Sequence, residues 1–292
     1  MSGGRFARVG VRFGDHAQRV PYWQVVAGYA ALLLLALVAL FPVVTIWLTG
    51  FKTNTELLSG FFGLPQQWHW ENFAAAWDRG RFGTFFANSV IVVVPVVVVS
   101  LVLSTLAGFG FARWRFRGSG ILFFLLLVGL MVPFEAVIVP LYYDMRAIGL
   151  LNTYWALILP QIGMSVAFGT FWMRAFFLSA PAELLDAAAV DGANPLRALW
   201  AVMLPLAQPA LLTLAVLLFT WTWNEFLLAL VLVSDEAVRT LPVGLAFFVG
   251  QYSADVPLLA AGATIVSTPI VVAFLIFQRS FIRGMVAGAI RG

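Results

Sequence analysis

The amino-acid sequence predicts an all-α polytopic membrane protein with six transmembrane helices. Of its 292 residues, 62% are hydrophobic and 10% are charged, a balance that excludes an ordinary soluble globular domain. Most of its long uncharged runs reach the roughly 20 residues that a helix needs to cross a bilayer. Strands of a membrane β-barrel would be about half as long and would alternate in polarity. The predicted spans are residues 24–48, 87–111, 121–142, 152–176, 210–233 and 258–278.

The placement of Lys and Arg predicts how these spans are oriented. Twelve of the seventeen basic residues fall in segments on one side of the predicted membrane. Cytoplasmic segments of membrane proteins are enriched in Lys and Arg, so both termini are predicted to be cytoplasmic. Residues 1–20 then form a cytoplasmic tail, 21–283 the six-helix domain and 284–292 a second cytoplasmic tail. The pI of 9.8 reflects this bias and indicates no nucleic-acid partner.

The segment between the first two spans is rich in tryptophan, with Trp68, Trp70 and Trp77. Indole side chains concentrate at the headgroup level of a bilayer, which favours an interfacial position for this segment. A docking surface for an external protein is a second interpretation, and the two are compatible.

Small residues in the second span predict close packing against another helix. Ser100, Ser104, Gly108 and Ala112 recur at four-residue intervals and form a smooth strip on one face. Strips of this kind let two helix backbones approach each other, so we expect packing here rather than ligand binding.

The third predicted span has Glu135 near its centre. An ionisable group at that depth is costly, so its side chain is expected to face the interior of the bundle or water. Glu135 is therefore a candidate residue of a solute path.

The fifth predicted span concentrates polar and aromatic residues at mid-membrane. With about 100° per residue, Thr220, Trp221, Asn224 and Glu225 fall within about 140° of one another on a helical wheel. Such a face suits a path for a hydroxyl-rich solute, because indole stacks on sugar C–H groups while amides and carboxylates form hydrogen bonds. Trp223 is a further candidate. Hydrogen bonding between helices is the competing interpretation for each residue.

Residues 181–209 interrupt the apolar second half of the chain, and we call this segment the elbow. Its local signals predict two short helices joined by a hinge. Glu183 and Asp186 lie early in the first helix, where carboxylates favour the positive helix end. Gly192 is expected to end that helix, because glycine adopts the left-handed conformation without steric cost.

The second helix of the elbow is likewise predicted from residues close in sequence. Asn194 is predicted to cap it, with Pro195 at its first position. Pro205 and Pro209 are expected to close it. An ordinary amphipathic hairpin between two spans is the alternative to a functional role for this segment.

The inventory of reactive residues argues against catalysis by this chain. Its only lysine, Lys52, follows Phe51, so the chain has no Gly-Lys phosphate loop, and any ATP hydrolysis must come from another chain. The two histidines, His16 and His69, are predicted on opposite sides of the membrane, which disfavours zinc sites and catalytic triads. The chain has no cysteine for thiol chemistry.

The elbow also resembles a known motif. Asp186-Ala187-Ala188, three residues, Gly192, nine residues and Val202-Met203-Leu204-Pro205 match the EAA loop of ABC-importer permeases, which reads E-A-A, three residues, G, nine residues, I-x-L-P. The departures are Asp for Glu and Val for Ile.

Further stretches resemble the second permease subunit of carbohydrate-type importers of the maltose/glycerol-phosphate group: Gly50–Thr53, Asn72-Phe73, Asn88-Ser89, Phe109–Gly118, Ile138–Tyr142, Gly149–Thr153, Trp223–Phe226, Thr240–Gly244 and Gly284–Gly292.

The resemblance implies a division of labour among several chains in a bacterial or archaeal cell (inner) membrane. This chain would adopt the type I ABC-importer architecture and pair with a second permease subunit. An ATPase dimer would bind ATP and Mg and receive the elbow, this chain would bind no cofactor or metal, and an extracytoplasmic solute-binding protein would deliver cargo. The implied ATPase-coupling residues are Glu183, Asp186, Ala187, Ala188, Asp191, Gly192, Leu204 and Pro205.

The main hypothesis is therefore a permease subunit of an ATP-driven importer of a sugar or sugar-like solute. A proton-coupled secondary transporter that uses Glu135 and Glu225 is the alternative, although no internal repeat of the kind expected there is evident. A membrane enzyme is disfavoured by the residues available. The sequence leaves the cargo open among saccharides, sugar alcohols and glycerol phosphate.

Overall fold

The computed structural model describes residues 22–60, 62–250 and 253–289, with side chains as far as Gln278. The predicted tail 1–20 lies outside these residues. In the described part the chain is helical, and its one β feature is an isolated bridge between Val249 and Ala254. The helices are α1 Tyr22–Thr49, α2 Asn54–Ser59, α3 Glu71–Arg79, α4 Phe82–Arg113, α5 Ser119–Met131, α6 Phe134–Ala147, α7 Tyr154–Ser179, α8 Glu183–Val190, α9 Pro195–Ala198, α10 Leu204–Trp223, α11 Leu227–Leu232 and α12 Val256–Ala289.

The first part of α1 forms a compact unit of its own, which ends at Thr45. Its apolar side chains are exposed around the whole helix. A helix that is hydrophobic on every side suits a lipid environment. The hydroxyl of Thr45 donates to the carbonyl of Phe41, four residues earlier, so this polar group is satisfied within the helix.

The described residues contain five helices long and apolar enough to cross a membrane, and a sixth span exists only if α5 and α6 are counted together. These two helices meet at 98°, so the prediction of one continuous helix over 121–142 is wrong. Pro133 explains the break, because a proline drives the residue before it out of the α conformation. Val132 accordingly has ψ 121°, and Glu135 lies exposed in the first turn of α6.

The fifth span also differs from the predicted residues 210–233. The apolar helical stretch runs from Pro195 to Trp223, and the chain leaves the helix before α11 begins. The elbow therefore enters the span directly, through a π turn at Leu199–Met203 in which the N–H of Leu204 bonds to the carbonyl of Leu199. The expectation that Pro205 and Pro209 close a helix is wrong, because both lie within α10.

Close packing of α4 against α7 confirms the small-residue strip. A Cβ added to Gly108 would lie 2.7 Å from the Cβ of Met173 and 2.9 Å from the backbone nitrogen of Arg174. A Cβ added to Gly169 would lie 2.7 Å from the Cβ of Ser104. The two backbones approach this closely only because these positions lack larger side chains.

Asn88 of α4 joins this helix pair to the connection between α11 and the 3-10 helix Leu241–Phe248. Its amide nitrogen donates to the carbonyls of Ala237 (2.8 Å) and Arg239 (2.9 Å), and its amide oxygen accepts from the Tyr154 hydroxyl of α7 (2.8 Å). One side chain thus fixes three parts of the chain.

The tryptophan-rich segment is organised by one carboxylate and one aromatic ring. Glu56 accepts from the backbone N–H groups of Thr53 and Gln66, and the Thr53 bond is the main reason that the pKa of Glu56 lies below its ordinary value. The ring of Phe51 packs against Trp68 and Trp70, with centroids 5.0 and 4.7 Å away. Trp68 remains 48% exposed and Trp70 66% exposed, which leaves both indoles available to a bilayer or a partner.

The last helix continues beyond the predicted end of the six-helix domain. Helix α12 runs to Ala289, so the segment predicted as a tail from Gly284 begins inside a helix. Residues 290–292 lie outside the described part of the chain.

We predict that Gly108→Ala destabilises the protein while Gly110→Ala, two residues along the same helix, does not. The new methyl group at 108 overlaps Met173, and overpacking of this kind costs about 1–3 kcal/mol. At 110 the methyl group meets only the Trp114 ring at 3.7 Å, an ordinary contact. Thermal unfolding of the detergent-purified protein checks this, and equal melting temperatures for the two variants would contradict it.

Candidate functional site

The hinge of the elbow is a complete helix-ending motif. Gly192 has φ +78°, in the left-handed region. Its N–H bonds to the carbonyl of Ala189, and the N–H of Ala193 bonds to the carbonyl of Ala188. These two bonds define the Schellman motif, so the predicted role of Gly192 in ending α8 is confirmed.

The second helix of the elbow begins as predicted. The Asn194 side chain accepts from the N–H of Arg197 at 2.8 Å, and Pro195 occupies the first turn. The first helix begins at Glu183, with Asp186 in the same turn. The elbow is thus held at both sides of its hinge by local hydrogen bonds.

The elbow presents one face to the protein and another to its surroundings. Ala188 is buried, and Leu185 and Leu204 pack against the cluster that contains Met173 and Leu199. The other residues predicted to couple to an ATPase are all exposed: Glu183, Asp186, Ala187, Asp191, Gly192 and Pro205. The exposed face therefore carries three acidic side chains beside small ones.

Three large apolar residues on the exposed face escaped the sequence analysis. Val190 is 88% exposed, Leu196 55% and Trp200 59%. The helical spacing of Leu196 and Trp200, four residues apart, was the available signal. Exposed apolar side chains gathered on one segment mark an interaction surface.

A second feature is a cavity of about 360 Å³ on α7 and α10, which we call the solute cavity. Its volume lies at the lower end of the roughly 300–1,000 Å³ typical of small-molecule sites. Its lining combines aromatic, aliphatic and polar side chains: Leu130, Gln161, Met164, Ser165, Phe168, Trp221, Thr222 and Glu225.

The structure separates the predicted path residues into two groups. Trp221 and Glu225 line the solute cavity. Trp223 is buried, and its indole N–H donates to the carbonyl of Val266 at 2.9 Å, so it joins α10 to α12. Thr220 and Asn224 do not line the cavity.

Thr220, Asn224 and Glu135 instead have structural roles at the ends of their helices. The Asn224 amide donates to the carbonyl of Thr220 and the Thr220 hydroxyl to the carbonyl of Val216, which satisfies the end of α10. Glu135 does not line the cavity and lies in the first turn of α6, where a carboxylate favours the helix N-terminus. The predicted shared face of the fifth span is therefore only partly a cavity wall.

Gln161, Ser165 and Thr222 of the cavity were missed by the sequence analysis. Gln161 and Ser165 lie four residues apart on α7, which places them on one helix face. This polar pair within an apolar span was a signal that the sequence offered. Thr222 had no such signal, because its neighbours Trp221 and Trp223 face different surroundings.

Comparison with known proteins decides the family. The family model described as "Binding-protein-dependent transport system inner membrane component" matches residues 100–287, more than half of the chain and all of the elbow. The chain belongs to this family. The recognition of an ABC-importer permease from the elbow motif is therefore confirmed.

Related proteins align with this chain over almost its whole length. The probable ABC transporter permease protein YurM of Bacillus subtilis is 38% identical over 89% of this chain and 87% of its own length. The arabinooligosaccharides transport system permease protein AraQ of Halalkalibacterium halodurans is 36% identical, over 92% of this chain and 96% of its own. The diacetylchitobiose uptake system permease protein NgcG of Streptomyces coelicolor is 34% identical over 90% and 88%.

A solved structure confirms the predicted fold class. The match is a chain in the crystal structure of a bacterial ABC transporter involved in the import of the acidic polysaccharide alginate. Its TM-score is 0.75 at 26% identity, and the match covers 90% of this chain and 99% of that chain. This family member is thus a multi-pass helical membrane protein with an ABC-importer permease fold.

Two tryptophans on α10 provide a test of the site assignment. We predict that Trp223→Phe lowers the melting temperature of the purified protein, because it removes the indole hydrogen bond between α10 and Val266 of α12, which contributes about 0.5–1.5 kcal/mol. Trp221→Phe removes no such bond and is expected to leave the melting temperature unchanged. An equal fall in both variants would contradict the separation of a structural and a cavity tryptophan.

Proposed function

We propose that this chain is the permease subunit of an ATP-driven, binding-protein-dependent importer of a sugar. It works with a second permease subunit, an ATPase dimer and an extracytoplasmic solute-binding protein in a bacterial or archaeal cell (inner) membrane. The chain itself is non-catalytic, and ATP and Mg bind to the ATPase chains. The relatives whose names state a cargo, arabinooligosaccharides and diacetylchitobiose among them, support a sugar.

The geometry of the elbow supports this proposal most directly. The hinge bonds fix the end of its first helix, and the Asn194 cap fixes the start of its second, which continues through the π turn into α10 without a loop. A force on the exposed face is therefore transmitted to a span as a rigid-body movement. Coupling of this kind is what separate ATPase subunits need in order to drive alternating access.

Basic residues around the elbow support a cytoplasmic position for it. Arg113, at the end of α4, donates to the carbonyl of Ala180 immediately before the elbow. Arg174 of α7 donates to the carbonyl of Phe111 and lies over the ring of Phe123. Arginines collected at one end of the spans favour the cytoplasmic side, where the ATPases would be.

The positions of Glu225 and Glu135 do not favour the alternative of a proton-coupled secondary transporter. Glu225 already accepts from the N–H of Leu228 at 2.8 Å, and Glu135 lies exposed at a helix start outside the solute cavity. The two acids do not form a shared proton site in the described chain. Family membership points the same way.

We predict that Gly192→Val uncouples ATP hydrolysis from transport. No neighbouring atom would clash with the new side chain, so the effect comes from the positive φ alone, at a strain of about 1–3 kcal/mol. We expect uptake into proteoliposomes to fall at least about tenfold while the complex still assembles, since about 1.4 kcal/mol is already a factor of ten.

Two controls sharpen this experiment. Gly192→Asn is expected to retain most uptake, because asparagine tolerates the left-handed region. Gly149→Val introduces the same strain at φ +71° in the turn between α6 and α7, and it should lower stability without changing the ratio of uptake to ATP hydrolysis. Normal uptake by an assembled Gly192→Val complex would refute the coupling role of the hinge.

A further inference from the structure

The charge of the solute cavity limits what it can bind. Of the eight side chains that line it, only Glu225 is ionisable, and none is basic. The cavity therefore presents a single negative charge with no cation in its wall. A ligand that carries a carboxylate, sulfonate or phosphate would meet that charge without compensation.

Glu225 lines the cavity, and one of its two carboxylate oxygens is held by a backbone bond. Its Oε1 accepts the N–H of Leu228 at the start of α11. Within the described residues no hydrogen-bond donor reaches Oε2. The backbone bond fixes the carboxylate, and Oε2 is left as an acceptor for a ligand hydroxyl.

Two hydroxyl groups in the wall also have no protein partner. Ser165 and Thr222 are each only 7% exposed, and the hydroxyl of neither forms a hydrogen bond with the described residues. Thr105 of α4 and Thr213 and Thr220 of α10 instead donate to the carbonyl four residues earlier. Their oxygens are not among the fully buried atoms that lack a partner, so both hydroxyls of the wall, those of Ser165 and Thr222, are open to the cavity and can bond to a ligand hydroxyl there.

The remaining wall suits a sugar ring. Trp221 is 49% exposed and meets Phe168 edge to face, with ring centroids 4.7 Å apart. An aromatic corner of this kind offers an apolar surface to ring C–H groups. The Gln161 amide nitrogen donates to the carbonyl of Leu157, which leaves its amide oxygen as a further acceptor at the wall.

We infer that the solute cavity is a subsite for one uncharged sugar ring and that Glu225 rejects anionic sugars. This inference rests on the proposed function and adds the chemical class of the cargo. Two like charges 4 Å apart at an effective dielectric constant near 20 disfavour binding by up to about a thousandfold. Water in an open cavity screens part of this, so we expect a discrimination of at least about tenfold.

The absence of native cysteine in the chain permits a direct test. In the full transporter complex, Ser165→Cys places a single thiol of this chain in the cavity wall. The rate of its modification by N-ethylmaleimide, followed by mass spectrometry of this chain, reports occupancy without dependence on cargo delivery. The probes are glucose, galactose, arabinose and N-acetylglucosamine, compared with glucuronate and galacturonate. Ser234→Cys, exposed in the connection after α11, is the matched control.

At least one neutral sugar is expected to protect the thiol at 165 at a concentration about tenfold or more below that of its uronate. Neither class should protect the thiol at 234. Adding Glu225→Gln, which retains an acceptor for the Leu228 N–H, should bring the uronates to within a few-fold of the neutral sugars. Equal protection by both classes with Glu225 in place would overturn the inference, as would no protection by any sugar.

ATP-driven uptake by the same complex separates this inference from the proposed function. If proteoliposomes take up neutral sugars but the thiol at 165 is never protected, the cavity is not a sugar subsite and the importer assignment stands. If no sugar is taken up with ATP, the proposed function itself fails. Uptake together with selective protection supports both.

Discussion

The close approach of α4 and α7 is the contact on which the rest of the molecule depends. Gly108 and Gly169 allow it, and neither position has room for a Cβ. Near the elbow Arg113 of α4 bonds to Ala180 just after α7, and far from it Asn88 bonds to Tyr154. Because this pair is clamped along its length, α7 presents the cavity wall and the start of the elbow in a fixed relation.

The helix ends in the elbow were predictable from the sequence, because hydrogen bonds between residues close in sequence determine them. Gly192 ends α8 with a Schellman motif, and Asn194 caps α9, as their residue types indicate. The elbow match then supplied the family, since a spacing over twenty residues survives substitutions such as Asp186 for Glu. The fold class and the family thus followed from the chain alone.

Breaks in helices were not predictable in the same way. Pro42, Pro95, Pro160 and Pro269 all remain inside long helices, whereas Pro133 marks a bend of 98°. Within a membrane, neighbouring helices and hydroxyl side chains satisfy the backbone groups that a proline frees, so tertiary contacts decide which proline bends the chain. The cavity residues could not be predicted for a related reason. Trp221 and Trp223 are the same residue type in the same apolar span, and only the packing of Trp223 against α12 distinguishes the structural tryptophan from the cavity one.

The elbow connects the two helices that contribute most of the wall of the solute cavity. Along α7 the cavity residue Ser165 lies about 20 Å from the helix end at Ser179, and along α10 Trp221 lies about 25 Å from Leu204, at 1.5 Å per residue. Each distance runs within a single helix, but the extended backbone at Ala180 separates α7 from the first helix of the elbow. On the α10 side the elbow joins the span through the π turn before Leu204. A displacement of the elbow is therefore carried along α10 to the cavity wall at Trp221, which is how a distant ATPase would change access to a sugar without contacting it.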